Sequence, residues 1–159
     1  MQIELFVIPK DPQFSPSATS VQVATKLIED FAPLNNGVRV TTSMHPKICG
    51  NLYPKGNRLT CPSCSKVLDL GADELDQWWS DFQDRIFGAD DPLNELFKMP
   101  CCENEVKGNR FDFGGGVHYS KFIASIDDPI DGDQLTQEQL DALEAVLGCE
   151  LIQFDSFDT

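Results

Sequence analysis

Ile3, Leu5, Phe6, Val7 and Ile8 make an almost unbroken apolar run, interrupted only by Glu4. Such a run predicts a strand covered on both faces, central in a sheet. Pro9, Asp11 and Pro12 end it. Val21, Ala24, Leu27, Ile28 and Phe31 then recur at helical spacing, with Ser15 placed as N-cap, Pro16 in the first turn and Pro33 as the stop. Asn35-Asn36-Gly37 reads as a turn, and residues 38–41 alternate as a second strand. Leu75, Trp78, Trp79, Phe82 and Ile86 share one helical face that Gly88 closes. At that spacing two adjacent tryptophans read as core before they read as a binding surface.

The pattern resumes after the Gly114-Gly115-Gly116 joint. Residues 117–126 read as a third strand, with Phe122, Ile123 and Ala124 strongly apolar. Thr136 and Gln139 are spaced as a capping box, and Leu135 and Leu140 as a hydrophobic staple. Leu140, Leu143, Val146 and Leu147 form the buried stripe of that helix, Gly148 ends it, and residues 151–154 make the last strand. The order predicts an α+β protein, a ferredoxin-like βαβ-βαβ antiparallel sheet whose first and third strands are central. The whole chain, 1–159, reads as one domain. Residues 44–110, which contain the Trp-Trp helix, read as a cysteine-rich, zinc-ribbon-like insertion between the second and third strands. No internal repeat is apparent.

Within that insertion, Cys61-Pro62-Ser63-Cys64 pairs with Met99-Pro100-Cys101-Cys102. Zinc takes four ligands in a tetrahedron, and thiolates suit it. Cys61 and Cys64 reach one metal from a single tight turn. Aligning Pro62 with Pro100 puts Cys102 in the place of Cys64 but Met99 in the place of Cys61, so Cys101 must supply the missing ligand from the adjacent position. The expected site is Cys61, Cys64, Cys101 and Cys102 around structural Zn2+. Competing sets drop one adjacent cysteine and recruit His45, Cys49 or His118. Cys49 and Cys149 otherwise read as small buried hydrophobes.

Charge narrows the function. The chain of 159 residues carries 26 acidic against 12 basic side chains, net −14. Ten acidic residues, Asp127 to Asp158, follow Lys121 with no Lys or Arg among them. This disfavours a phosphate backbone or an anionic membrane as partner. It suits a solvated face or a surface that steers a basic protein. No stretch has the length of a membrane helix, and the first residues lack the basic n-region of a signal peptide. A cytoplasmic location is expected, where six cysteines favour metal over disulfides.

Catalytic patterns are sparse. There is no phosphate-binding loop, nucleophile elbow or His-Glu-x-x-His. Residues 127–138 match a calcium loop at the first, fifth, sixth and twelfth positions, but Pro129 stands at the third, where a ligand is needed. Cys-Pro-x-Cys also occurs in thiol-disulfide oxidoreductases, where the second cysteine opens a helix that acidifies the thiol. Here the helix starts only near Asp73.

The terminal -VIPKDP- strand, the CPxC, the Trp-Trp helix, the -PCC- and the closing LTxEQLxxLExxLGC resemble a group of small bacterial proteins of uncharacterised function. Some of them carry a label as sugar-transporter ATPases, which the missing nucleotide loop does not support here. The resemblance implies a bacterial cytoplasmic protein and no activity. The expectation is a non-enzymatic zinc protein that binds another protein, in one version an acidic immunity- or antitoxin-like inhibitor of a basic partner. The alternatives are a thiol-disulfide oxidoreductase using Cys61 and Cys64, or a zinc-ribbon nucleic-acid-binding protein. The last would use Lys47, Lys55, Arg58, Lys66 and Lys107, which stand near the cysteines in sequence.

Overall fold

A computed structural model describes residues 2–31, 37–52, 54–127, 129 and 134–158. Among these residues the strands and α-helices follow in the order β1 (Gln2–Pro9), α1 (Ala18–Phe31), β2 (Gly37–Gly50), β3 (Arg58–Thr60), β4 (Val67–Asp69), α2 (Asp76–Gly88), β5 (Leu96–Lys98), β6 (Glu105–Lys107), β7 (Val117–Asp127), α3 (Gln137–Leu147) and β8 (Leu151–Asp158). The protein is therefore α+β, built on a four-stranded sheet ordered β2-β7-β1-β8 in which every neighbouring pair is antiparallel. The two apolar runs, β1 and β7, occupy the centre.

One face of the sheet carries α1 and α3. Leu5, Val7, Phe122, Ala124 and Ile126 from the central strands pack with Ala24 and Ile28 of α1 and with Leu140, Leu143 and Leu147 of α3. Apolar residues on alternate positions of the strands meet apolar stripes at helical spacing, so each pattern supplies the other's cover. The opposite face is thinner, with Phe6, Ile8 and Cys49 buried among Ile123, Ile152 and Phe154.

Local chemistry sets the element ends. In α3 the Thr136 hydroxyl accepts from the Gln139 N–H, the Gln139 side chain accepts from the Thr136 N–H, and Gly148 closes the helix at φ 80°. Helix α1 starts later than the sequence pattern suggests. Ser17, not Ser15, accepts from the Ser20 N–H and caps it. Pro33 and the turn residues Asn35 and Asn36 lie outside the described residues, as do Asp128 and residues 130–133 of the calcium-like window.

Strand β2 differs most from expectation. It does not stop at Thr41 but continues through residues 44–50, and the register against β7 shifts between Thr42 and Lys47. A proline inside a strand ordinarily argues against one. Pro46 is tolerated because β2 is an edge strand and the residues around it lie in the irregular stretch. Cys49, expected within the insertion, is thereby a sheet residue. At the strand end the chain leaves the sheet through Asn51, whose N–H donates to Gly116 O at 3.0 Å. A Cβ added to Gly50 would lie 2.1 Å from that same oxygen, so the exit requires glycine.

Candidate metal centre

The chain between β2 and β7 folds around a second core. Phe82 of α2 is its hub, with ring centroids 4.6 Å from Phe97, 5.1 Å from Phe111, 5.3 Å from Trp78 and 5.4 Å from Trp79. Trp79 is buried and Trp78 packs on the same cluster, so the Trp-Trp helix is core. Trp78 Nε1 also donates to Lys98 O at 2.9 Å. Arg85 reaches from α2 over the Phe97 ring and donates to Leu96 O and Glu95, binding the helix to β5.

Two β-hairpins stand on this core. In β3–β4 the buried pair is Leu59 and Leu68; in β5–β6 it is Phe97 and Val106. Each hairpin has only three residues per strand, too few to be stable alone. Their turns are the same turn. In the first, Cys61 N–H donates to Lys66 O and Ser65 N–H to Cys61 O; in the second, Met99 N–H donates to Asn104 O and Glu103 N–H to Met99 O. Ser65 and Glu103 both take positive φ, 66° and 61°. The flanks agree too, since Leu70 N–H donates to Asn57 O and Gly108 N–H to Glu95 O. The region is thus a tandem repeat in which Leu96 answers to Arg58 and Lys107 to Asp69. The repeat is not apparent in the sequence, because few identities mark it beyond Pro54/Pro92, Pro62/Pro100 and Cys64/Cys102.

The turns face one another and bring four sulfurs together. The Sγ atoms of Cys61, Cys64, Cys101 and Cys102 all lie within 4.8 Å of each other, with Cys64–Cys101 at 3.3 Å and Cys61–Cys102 at 3.9 Å. Four thiolates on one zinc at ~2.3 Å would be about 3.8 Å apart. The donor set and spacing therefore fit a tetrahedral metal. Asn104 Nδ2 donates to Ser63 Oγ and Arg110 Nη2 to Pro62 O, so side chains from the second hairpin tie down the first turn.

Electrostatics point the same way. Burial pushes the Cys61 thiol up, but the N–H groups of Cys64 and Ser63 and the neighbouring thiols of Cys101 and Cys64 outweigh it and bring it down to about 7. Burial, then contact with Cys64 and Cys61, pushes Cys101 up to about 12. A negative charge on one of these thiols opposes the ionisation of its neighbours. Four thiolates at this spacing are compatible only with a cation between them.

The rival ligands are elsewhere. His45 lies 3.8 Å from Asp91, and His118 packs at a tilt against Phe154 with ring centroids 4.2 Å apart. The Cys49 thiol donates to His118 O, and burial pushes it up to about 12. Cys149 packs half-buried against the helix-covered core. The Cys61–Cys64 turn runs into β4, and α2 begins only at Asp76, so no helix N-terminus acidifies these thiols. Among the described residues no helix is long and apolar enough to cross a membrane. Comparison with family models, with curated proteins and with solved structures finds no match to this chain.

Proposed function

We propose that Cys61, Cys64, Cys101 and Cys102 hold one structural zinc ion, and that the protein works by binding another protein rather than by catalysis. The observation that carries this reading is the convergence of four sulfurs within 4.8 Å from two facing turns. A closed set of four thiolates leaves no position for water or substrate, and such a set cross-links hairpins too short to hold themselves. The reading takes the sheet as ferredoxin-like and residues 44–110 as a zinc-ribbon-like insertion within a single domain. The strand order and the paired hairpins support it.

The partner in this reading is a basic protein, and the chain an acidic, cytoplasmic, immunity- or antitoxin-like inhibitor. What supports it is the net charge of −14 and the absence of Lys and Arg after Lys121. Nucleic-acid binding through the hairpins has less support. Arg58 faces Asp69 and Lys98 faces Glu105 across the strands, so part of the hairpins' positive charge is offset by acidic neighbours.

Metal analysis with thiol titration tests the site on protein purified without added zinc. One zinc per chain and four thiols protected until a chelator is added is the expected result. No metal, with a rapid Cys61–Cys64 disulfide, would replace the reading by thiol-disulfide exchange.

A further inference from the structure

The face of the sheet turned away from α1 and α3 is not sealed. A groove of about 630 Å3 crosses it, walled on one side by Gln83 and Phe87 of α2. That volume lies within the ~300–1,000 Å3 of ligand sites. The strand register orders its floor. One row across the sheet carries Glu4 and Asp127, the next Arg39, Ser125 and Phe6, and the next Thr41 and Ile123. The floor therefore grades from acidic to apolar.

Two features of the acidic end are unspent. Arg39 bridges Glu4 and Asp127 through a single nitrogen, contacting Glu4 Oε1 and Asp127 Oδ1, so each carboxylate keeps its second oxygen. The Glu4 and Asp127 side chains are only 26% and 21% exposed, and Arg39 is 62% exposed. The trio sums to one negative charge. Ser125 lines the same groove at 4% exposure, and among the described residues its hydroxyl has no hydrogen-bond partner.

We propose that this groove docks a basic segment of a partner protein, with an Arg or Lys head on Glu4, Asp127 and Ser125 and its apolar stem against Phe6 and Phe87. The proposal rests on the reading that the chain binds a basic protein, and gives that reading a place on the molecule. An anionic segment would meet two carboxylates and an arginine already engaged. A cationic one gains charge-assisted hydrogen bonds in a half-buried setting, and the negative charge of the whole chain steers it there.

The probe is the synthetic peptide acetyl-Leu-Arg-Leu-Arg-Leu-amide, titrated into the full, zinc-loaded chain and followed by amide chemical shifts. Its Leu-Glu-Leu-Glu-Leu counterpart is the control. Shifts centred on Phe6, Arg39 and Ser125 are expected. In Glu4→Gln/Asp127→Asn the trio turns from one negative to one positive charge, and binding should weaken about tenfold or more. Arg39→Gln removes a competing cation and should tighten binding, a gain that misfolding cannot mimic. If shifts instead centre on α3 and binding falls only in Glu138→Gln/Asp141→Asn, the groove is wrong and the acidic-surface reading stands. Equal binding of the acidic control, or none of the basic peptide, would sink both.

Discussion

The two cores of this protein are held by different means. The sheet side has long strands, two helices and a continuous aliphatic interior, with Leu5, Ala24, Phe122 and Leu143 fully buried. The cysteine side has three-residue strands, one helix and an aromatic cluster, and its sulfurs converge at the margin of that cluster. In the first, regular elements are long enough for burial to carry them. In the second, the strands are punctuation around two turns, and in the proposed reading stability depends on what joins the turns. Small cores lose surface burial faster than they lose entropy cost, which is where metals enter.

The sharpest way to break this contrast is to remove the cysteines proposed to hold a metal. Cys61→Ser, or chelation of the wild type, should cost the cysteine side about 5 kcal/mol or more, since structural zinc contributes folding energy outright. Both tryptophans lie on that side, so their emission should shift to the red while far-ultraviolet helicity from α1 and α3 persists. An unchanged emission would mean that the aromatic core suffices alone.

Truncations in the two cores come next. Phe82→Ala empties the aromatic hub and should cost ~3–5 kcal/mol, with weakened metal retention. Leu143→Ala, in the other core, should cost ~2–5 kcal/mol in denaturant unfolding and leave the metal affinity unchanged. Loss of metal in Leu143→Ala would show that the cores are not separable.

A pH experiment probes the seam between them. Burial raises the Cys49 thiol from its ordinary 9.0 to about 12. The unfolded chain therefore ionises first. The contribution of Cys49 to stability is complete below pH 9 and declines as pH rises toward 12. Cys49→Ala should flatten the alkaline limb of melting temperature against pH. An identical limb in the variant would remove Cys49 as its source.

The smallest effect is expected at Trp79, whose indole N–H is buried without a partner. Trp79→Phe discards an unsatisfied donor along with some packing area. Thermal unfolding should place it within ~1 kcal/mol of wild type. A loss of several kcal/mol would imply that the indole N–H is satisfied in solution.

Legibility in the sequence followed the same divide. Helix α3 was readable in full, because Thr136, Gln139 and Gly148 act within a few residues of one another and the capping box forms as spaced. So was the central placing of β1 and β7, since apolar runs need cover on both faces. The four clustered cysteines stood out by their spacing, and their sulfurs do converge. The second half of β2 was not, because Ser43, His45 and Pro46 disguise an edge strand that bends. The start of α1 was misplaced because Ser15 and Ser17 are equally good caps on paper. The tandem hairpins escaped because their periodicity lives in backbone bonds, and three-residue strands offer too few side chains to show a pattern. The groove could not be read at all. Its residues are spread from Glu4 to Ser156, and only strand register sets them side by side.

The Asn51–Gly116 hydrogen bond bears on the order in which the chain assembles. Central pairs of the sheet join residues far apart in sequence, and β2 meets β7 only after the whole intervening segment. An open loop of that length has its ends dispersed, and closing it carries an entropic penalty that grows with the logarithm of its length. Once a metal held as proposed clips the two hairpins together, Asn51 and Gly116 are held adjacent, and the loop behaves as a tight connection. The sulfur cluster then acts at a distance as a folding device. By shortening the path between β2 and β7, it sets how quickly the sheet can close, as well as how firmly its own hairpins stand.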